Sequence, residues 1–159
     1  MFVLLRQLAT IRRRSALDRG AGRRSLAIRH VDAGSCNGCE HELAAAANPY
    51  HDLQRYGLDI VASPRHADIL LVTGPVTTRM ATALAAAYDA MPEPRLVAAL
   101  GDCALGCNVL GRRTEHHGGV EHVLPVDIRI PGCPPTPARI AEHLLAALDG
   151  RPAATWRPR

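Results

Sequence analysis

Aromatic residues make up only 3% of this 159-residue chain, and lysine is absent, all 19 basic residues being arginine. With so few rings, the core must be assembled from Ala, Val, Leu and Ile. The lack of lysine, beside abundant alanine, reads as coding bias and supports no functional statement. No uncharged apolar run approaches the ~18–20 residues that span a bilayer. The start, M-F-V-L-L-R, has no charged stretch ahead of its apolar residues, so no secretory leader is expected. R-R-S-L-A-I at 23–28 faintly resembles a twin-arginine signal, but Arg29, His30 and Asp32 interrupt the apolar run that such a signal needs. Aromatic interleaving and nucleic-acid recognition motifs are both missing, so no nucleic-acid partner is expected.

Charge is unevenly placed. The net charge is +4, yet Arg6, Arg12, Arg13, Arg14, Arg19, Arg23, Arg24 and Arg29 all precede residue 30, against the single acid Asp18. The rest of the chain carries 11 Arg and 14 acids and is slightly acidic. A basic arm of this kind suits an anionic lipid surface or an acidic partner. Within it Met1, Leu4, Leu5, Leu8 and Ile11 fall on one side of a helical wheel. Gly20, Ala21 and Gly22 then form a joint. Residues 1–25 are therefore an expected basic amphipathic arm, either a short helix lying on a partner or membrane surface or a frayed terminus, with 26–150 the folded body and 151–159 a tail.

In the body, short apolar runs alternate with helical stretches. Strands are expected at 26–31, 58–62, 69–73, 96–100 and 126–130, and the third is the continuous apolar run of a strand buried on both faces. Helices are expected at 38–47, stopped by Asn48-Pro49, and at 78–91 with Thr77 as N-cap. A third starts at Pro137, capped by Thr136 and ended by Gly150. This order predicts an α/β fold, a flavodoxin-like open parallel sheet with helices on both faces. In such sheets ligands bind beyond the C-terminal ends of the strands.

That edge is where the cysteines fall. S-C-N-G-C-E at 35–40, G-D-C-A at 101–104 and P-G-C-P-P-T-P at 131–137 each follow an expected strand. Five cysteines is an odd number, and with no leader expected they read as reduced, cytosolic ligands and not disulfides. Cys36, Cys39, Cys103 and Cys133 form a four-thiolate set drawn from three loops. Gly38 would allow a tight turn between the first two, and Gly101 and Gly132 would let the backbone approach a bound group. Prolines 134, 135 and 137 stiffen the last loop. A 4Fe–4S cluster fits four thiolates from separated loops. A four-cysteine zinc site, stabilising an interaction module of the same fold, also fits a C-x-x-C pair. Buried core roles for Cys103 and Cys133 are a third possibility. A flavodoxin-like flavoenzyme is not supported, because the first strand opens into S-C-N-G-C-E and not into a phosphate loop.

The motifs extend beyond the cysteines. Together with Y-G-L-D-I-V-A-S-P-R-H-A-D-I-L-L-V-T-G-P-V-T at 56–77 and P-V-D-I-R-I-P-G-C-P-P-T-P at 125–137, they cover most of the body. The chain resembles the small-subunit family of NiFe hydrogenases and the 20 kDa (B) subunit of complex I. The resemblance implies one 4Fe–4S cluster, with Cys36, Cys39, Cys103 and Cys133 as its ligands. C-x-x-C-E, in place of two adjacent cysteines, is similar to the hydrogenase side. The expected lack of an export signal points to membrane-associated hydrogenases and hydrogenlyases facing the cytoplasm. With 26 residues after Cys133, no domain holding further clusters is expected.

The resemblance thus implies an electron-transfer subunit, inactive alone, of a hydrogenase or an NADH/quinone oxidoreductase of complex I type. Implied partners are a large catalytic subunit, a ferredoxin-like iron–sulfur subunit and membrane-embedded subunits, on the inner face of the cell membrane. Gly106-Cys107-Asn108 departs from the family's Gly-Gly pair. Cys107 is the alternative third ligand, and the G-D-C-A context favours Cys103. His116 and His117 lie in a polar, Gly-rich loop and are expected to be solvated. Glu40, directly after Cys39, is a candidate for a proton path or a partner contact, against a simple helix-dipole acid. Arg65 and His66 are expected either to face a partner or quinone-like pocket, or to contact Asp68.

Overall fold

The computed structural model describes residues 25–107 and 115–148. The basic arm, apart from residue 25, lies outside them, as do its glycine joint, Asn108, the helix stop at Gly150 and the tail. The body is built from β1 (Leu26–Asp32), α1 (Gly38–Ala46), β2 (Leu58–Ile60), β3 (Ile69–Thr73), α2 (Thr78–Asp89), β4 (Leu96–Leu100), β5 (Ile128–Ile130) and α3 (Pro137–Leu148). Short 3-10 turns occupy Leu53–Tyr56, Pro64–His66 and Val120–His122.

Every strand pair is parallel, and the order is β2-β1-β3-β4-β5. This is the flavodoxin-like order, with its reversal between β1 and β3. The alternation of side chains along each strand sorts the core into two layers. Ile28, Ile69, Leu71, Ala98, Leu100 and Ile130 pack with Leu43 and Ala46 of α1 and with Ile140 and Leu144 of α3. Leu70, Val72, Val97 and Ala99 pack on the opposite face with Leu84 of α2 and Met91. All five residues of β3 and of β4 are buried, as strands covered on both faces must be.

β3 and β4 match their expected spans residue for residue. β2 and β5 are shorter than expected. β2 is an edge strand, and beyond Ile60 only the Val61 N–H, bonded to the Ile28 carbonyl, follows the sheet before the chain turns at Ser63. Before β5 the Asp127 carboxylate accepts the Val97 N–H at 2.9 Å, so a side chain takes a place in the ladder. α2 ends at Asp89, two residues early. The Arg95 guanidinium donates to the carbonyls of Tyr88 and Met91 and lies 4.0 Å over the Tyr88 ring, closing the helix.

The two expected caps differ. Thr136 Oγ1 accepts from the Arg139 N–H at 3.4 Å at the start of α3. Thr77 stands at the N-cap position of α2, but its side chain makes no capping bond. Its carbonyl accepts from the Met80 and Ala81 N–H groups, each at 3.0 Å, while its own N–H donates to the Ala33 carbonyl at 2.9 Å.

Candidate cluster site

The three cysteine loops converge because β1, β4 and β5 end at one edge of the sheet. Cys36 and Cys39 lie between β1 and the first turn of α1, Cys103 follows β4, and Cys133 lies between β5 and α3. A cavity, partly open to solvent, is lined by Ser35, Cys36, Gly38, Cys39, Gly74, Asp102, Cys103, Gly132, Cys133 and Pro134. All four expected thiols line it, and Cys107 does not. Cys36 and Cys133 are exposed, whereas Cys39 and Cys103 are partly buried.

The first loop is shaped by its own side chains. Asp32 Oδ1 accepts from the N–H groups of Gly34 and Ser35, each at 2.8 Å. Ser35 Oγ accepts from the Asn37 N–H at 3.1 Å. The tight turn expected at Gly38 is made instead by Asn37, at φ 68°, and Gly38 begins the helix. Asparagine tolerates the left-handed region because its short polar side chain can bond locally. At the other two loops the β4–β5 ladder continues past the strands. The Gly101 N–H donates to the Ile130 carbonyl and the Asp102 N–H to the Gly132 carbonyl, both at 2.8 Å. Gly101 has φ +90°, and a Cβ there would lie 2.5 Å from Cys39 Sγ. Only glycine lets that backbone pass beside the thiol.

Burial first, then the Glu40 carboxylate and the neighbouring Cys103, Cys36 and Cys133, push the Cys39 thiol up to about 12. Burial, Cys133, Cys36 and Asp102 raise Cys103 in the same direction. Negative charge at Cys39 and Cys103 is therefore disfavoured unless cations neutralise it, so the donor set fits a positively charged bound group. Cys107 is raised by burial, Asp102 and Glu121, and none of the other cysteines contributes. Among the described residues no group of three or more His, Cys, Asp or Glu side chains is placed to hold a single metal ion.

Beneath the first loop lies a polar cluster that sequence reasoning missed apart from Glu40. Both Glu40 carboxylate oxygens are buried without a hydrogen-bond partner. Oε1 lies 3.7 Å from His30 Nε2, which is 2.9 Å from Thr73 Oγ1. Burial holds His30 below its ordinary value against the opposing pull of Glu40 and Asp32, with Arg29 adding to the lowering. The available signal was the alternation in β1, which puts His30 on the inward face shared by Leu26 and Ile28.

Other expected residues fall elsewhere. Arg65 and His66 are exposed in the turn before β3, at the end of the sheet opposite the cysteines, and Asp68 Oδ2 accepts from the Ala27 N–H at 2.9 Å. His117 is exposed as expected, but both ring nitrogens of His116 are buried without a hydrogen-bond partner. The cause is pairing of this loop with the segment before α2, where Thr77 bridges His116 and the His117 N–H donates to the Val76 carbonyl at 2.7 Å.

A family model described as "NADH ubiquinone oxidoreductase, 20 Kd subunit" matches residues 36–147, which span the first C-x-x-C through α3. The chain belongs to this family. Within it the chain is 43% identical over 126 residues to the probable membrane-bound hydrogenase subunit mbhJ of Pyrococcus furiosus, covering 79% of this chain and 75% of that one. It is 43% identical over 116 residues to formate hydrogenlyase subunit 7 of Escherichia coli, covering 73% of this chain and 46% of that one. Among solved structures it resembles a chain of an archaeal membrane-bound sulfane sulfur reductase. The TM-score is 0.67 at 28% identity, with 79% of this chain and 71% of that chain covered. Among the described residues no helix is long and apolar enough to cross a membrane.

Proposed function

We propose that this family member is an electron-transfer subunit whose Cys36, Cys39, Cys103 and Cys133 thiolates hold one 4Fe–4S cluster. The observation carrying this is the convergence of four thiols, from three loops, on one open cavity at the C-terminal edge of the sheet. A bound cluster would supply a one-electron couple whose potential the protein tunes by burial, charge and hydrogen bonding.

The chain's own part is to hold the thiolates, two of them exposed and two partly buried. The exposed side, with Cys36 and Cys133, is the side that a large catalytic subunit would cover. A ferredoxin-like iron–sulfur subunit would exchange electrons with the same centre, and membrane-embedded subunits would anchor the assembly to the inner face of the membrane. The relatives named for membrane-bound hydrogenase and hydrogenlyase support a hydrogenase-type or complex I-type assembly. Glu40, whose carboxylate oxygens are buried without a hydrogen bond and face His30 at 3.7 Å, is the candidate proton carrier or partner contact.

Anaerobic reconstitution with ferrous iron and sulfide tests the proposal. About four irons and four sulfides per chain, a brown colour and an EPR signal on reduction are expected. Stoichiometric zinc binding with neither colour nor signal would instead establish a zinc-stabilised module. The isolated chain should show no hydrogenase or dehydrogenase turnover, and detectable turnover contradicts the proposal.

A further inference from the structure

We infer that Asp102 is a positioning residue that clasps the loop carrying Cys133 to the loop carrying Cys103 and sets a carboxylate at the rim of the cluster cavity. The inference rests on the cluster assignment proposed above. Two hydrogen bonds of opposite sense join Asp102 to Gly132. The Asp102 N–H donates to the Gly132 carbonyl, and the Gly132 N–H donates to Asp102 Oδ1, both at 2.8 Å. Each residue directly precedes a cavity cysteine, and both line the cavity. The Asp102 carbonyl also accepts from the Cys107 N–H at 2.9 Å, which ties down the turn on its far side.

The backbone bond continues the β4–β5 pairing and would survive any side-chain change. The carboxylate bond is different, because its acceptor is a side chain and no strand pairing demands it. The Gly101 carbonyl, which the next rung would use, accepts instead from the Leu105 N–H at 3.1 Å, and at Gly132 the chain turns away with φ +144°. The Asp102 side chain supplies that rung and fixes where Cys133 begins. A bond to a carboxylate is stronger than one between neutral groups. The same carboxylate disfavours added negative charge on a bound cluster, so it favours the oxidised state.

The test uses the full-length chain, reconstituted anaerobically, with Asp102→Asn and Asp102→Ala. Asn keeps an oxygen to accept the Gly132 N–H but removes the charge. Asp102→Asn should hold wild-type iron with a midpoint potential shifted upward in an EPR-monitored titration. Asp102→Ala loses the rung, and its cluster should be lost to a chelator about tenfold faster than from the wild type. An unchanged or lowered potential in Asp102→Asn overturns the inference, and so does wild-type retention in Asp102→Ala. If Asp102→Ala does not fold, the Asp102→Asn potential decides alone. A wild-type chain that takes up no iron and sulfide overturns the cluster assignment itself, a result distinct from either variant's.

Discussion

Gly101→Ala puts a single methyl group where the fold and the site meet. The backbone there has φ +90°, and the new Cβ would stand 2.5 Å from Cys39 Sγ and 3.4 Å from the Gly132 carbonyl. Forcing a side chain into this conformation costs about 1–2 kcal/mol. The contact with sulfur is short by about 1 Å of ordinary packing distance. If Cys39 stays in place, overpacking adds about 1–3 kcal/mol, for a total of about 2–5 kcal/mol. For a chain of this size that is a melting-point drop of about 5–15 °C. If Cys39 instead rotates about its Cα–Cβ bond, only the backbone cost remains, but the thiol leaves the cavity. Iron retention therefore falls in either case. Gly118→Ala is the control, with φ +88° but only ordinary contact with the His122 ring, 3.6 Å away. It should lose about 1–2 kcal/mol and keep its iron. Thermal melts by circular dichroism, with iron content after desalting, read both quantities. Wild-type iron retention in Gly101→Ala would refute the reasoning, because the methyl would then have found space beside the thiol.

Four further outcomes are expected. Cys103→Ser should lose the cluster while Cys107→Ser retains about four irons, and iron analysis giving the reverse would move the third ligand to Cys107. Because burial favours neutral His30, the unfolded chain binds more protons below its ordinary value of 6.5. Asp32 acts in the same sense. Burial raises it, but the Ser35 and Gly34 N–H groups and His30 more than reverse this, so its contribution is present above 3.8 and lost below. The cluster-free chain should thus be more stable at pH 7.5 than at pH 5.5 in urea melts, and His30→Gln should flatten that slope. A wild-type chain that stabilises on acidification would contradict this. Thr136→Ala should cost about 0.5–1 kcal/mol in the same melts and Thr77→Ala less, since only Thr136 makes a capping bond. In the assembled complex Glu40→Gln should slow turnover, and unchanged turnover would remove Glu40 from any proton path.

What the sequence determined by itself was whatever depends on neighbours along the chain. Ile69–Thr73 and Leu96–Leu100 are continuous apolar runs, and a run that must be buried on both faces admits one placement. Thr136 followed by Pro137 marks a helix start by local geometry alone. The motifs around Cys36, Cys39, Cys103 and Cys133 marked both the family and the thiols that line the cavity. The tertiary structure decided what depends on which loops become neighbours. The order β2-β1-β3-β4-β5 brings the ends of β1, β4 and β5 to one edge, and it leaves Arg65 and His66 at the other. Cys107, four residues from Cys103, lies outside the cavity because the turn after β4 carries it away, a matter of direction that spacing cannot express. Thr77 stands at its expected N-cap without a side-chain bond, while His116 lost its expected exposure because its loop pairs with a segment distant in sequence. The clasp from Asp102 to Gly132 was legible only as a D in G-D-C-A. A hydrogen bond across 30 residues exists only once the sheet has placed both ends.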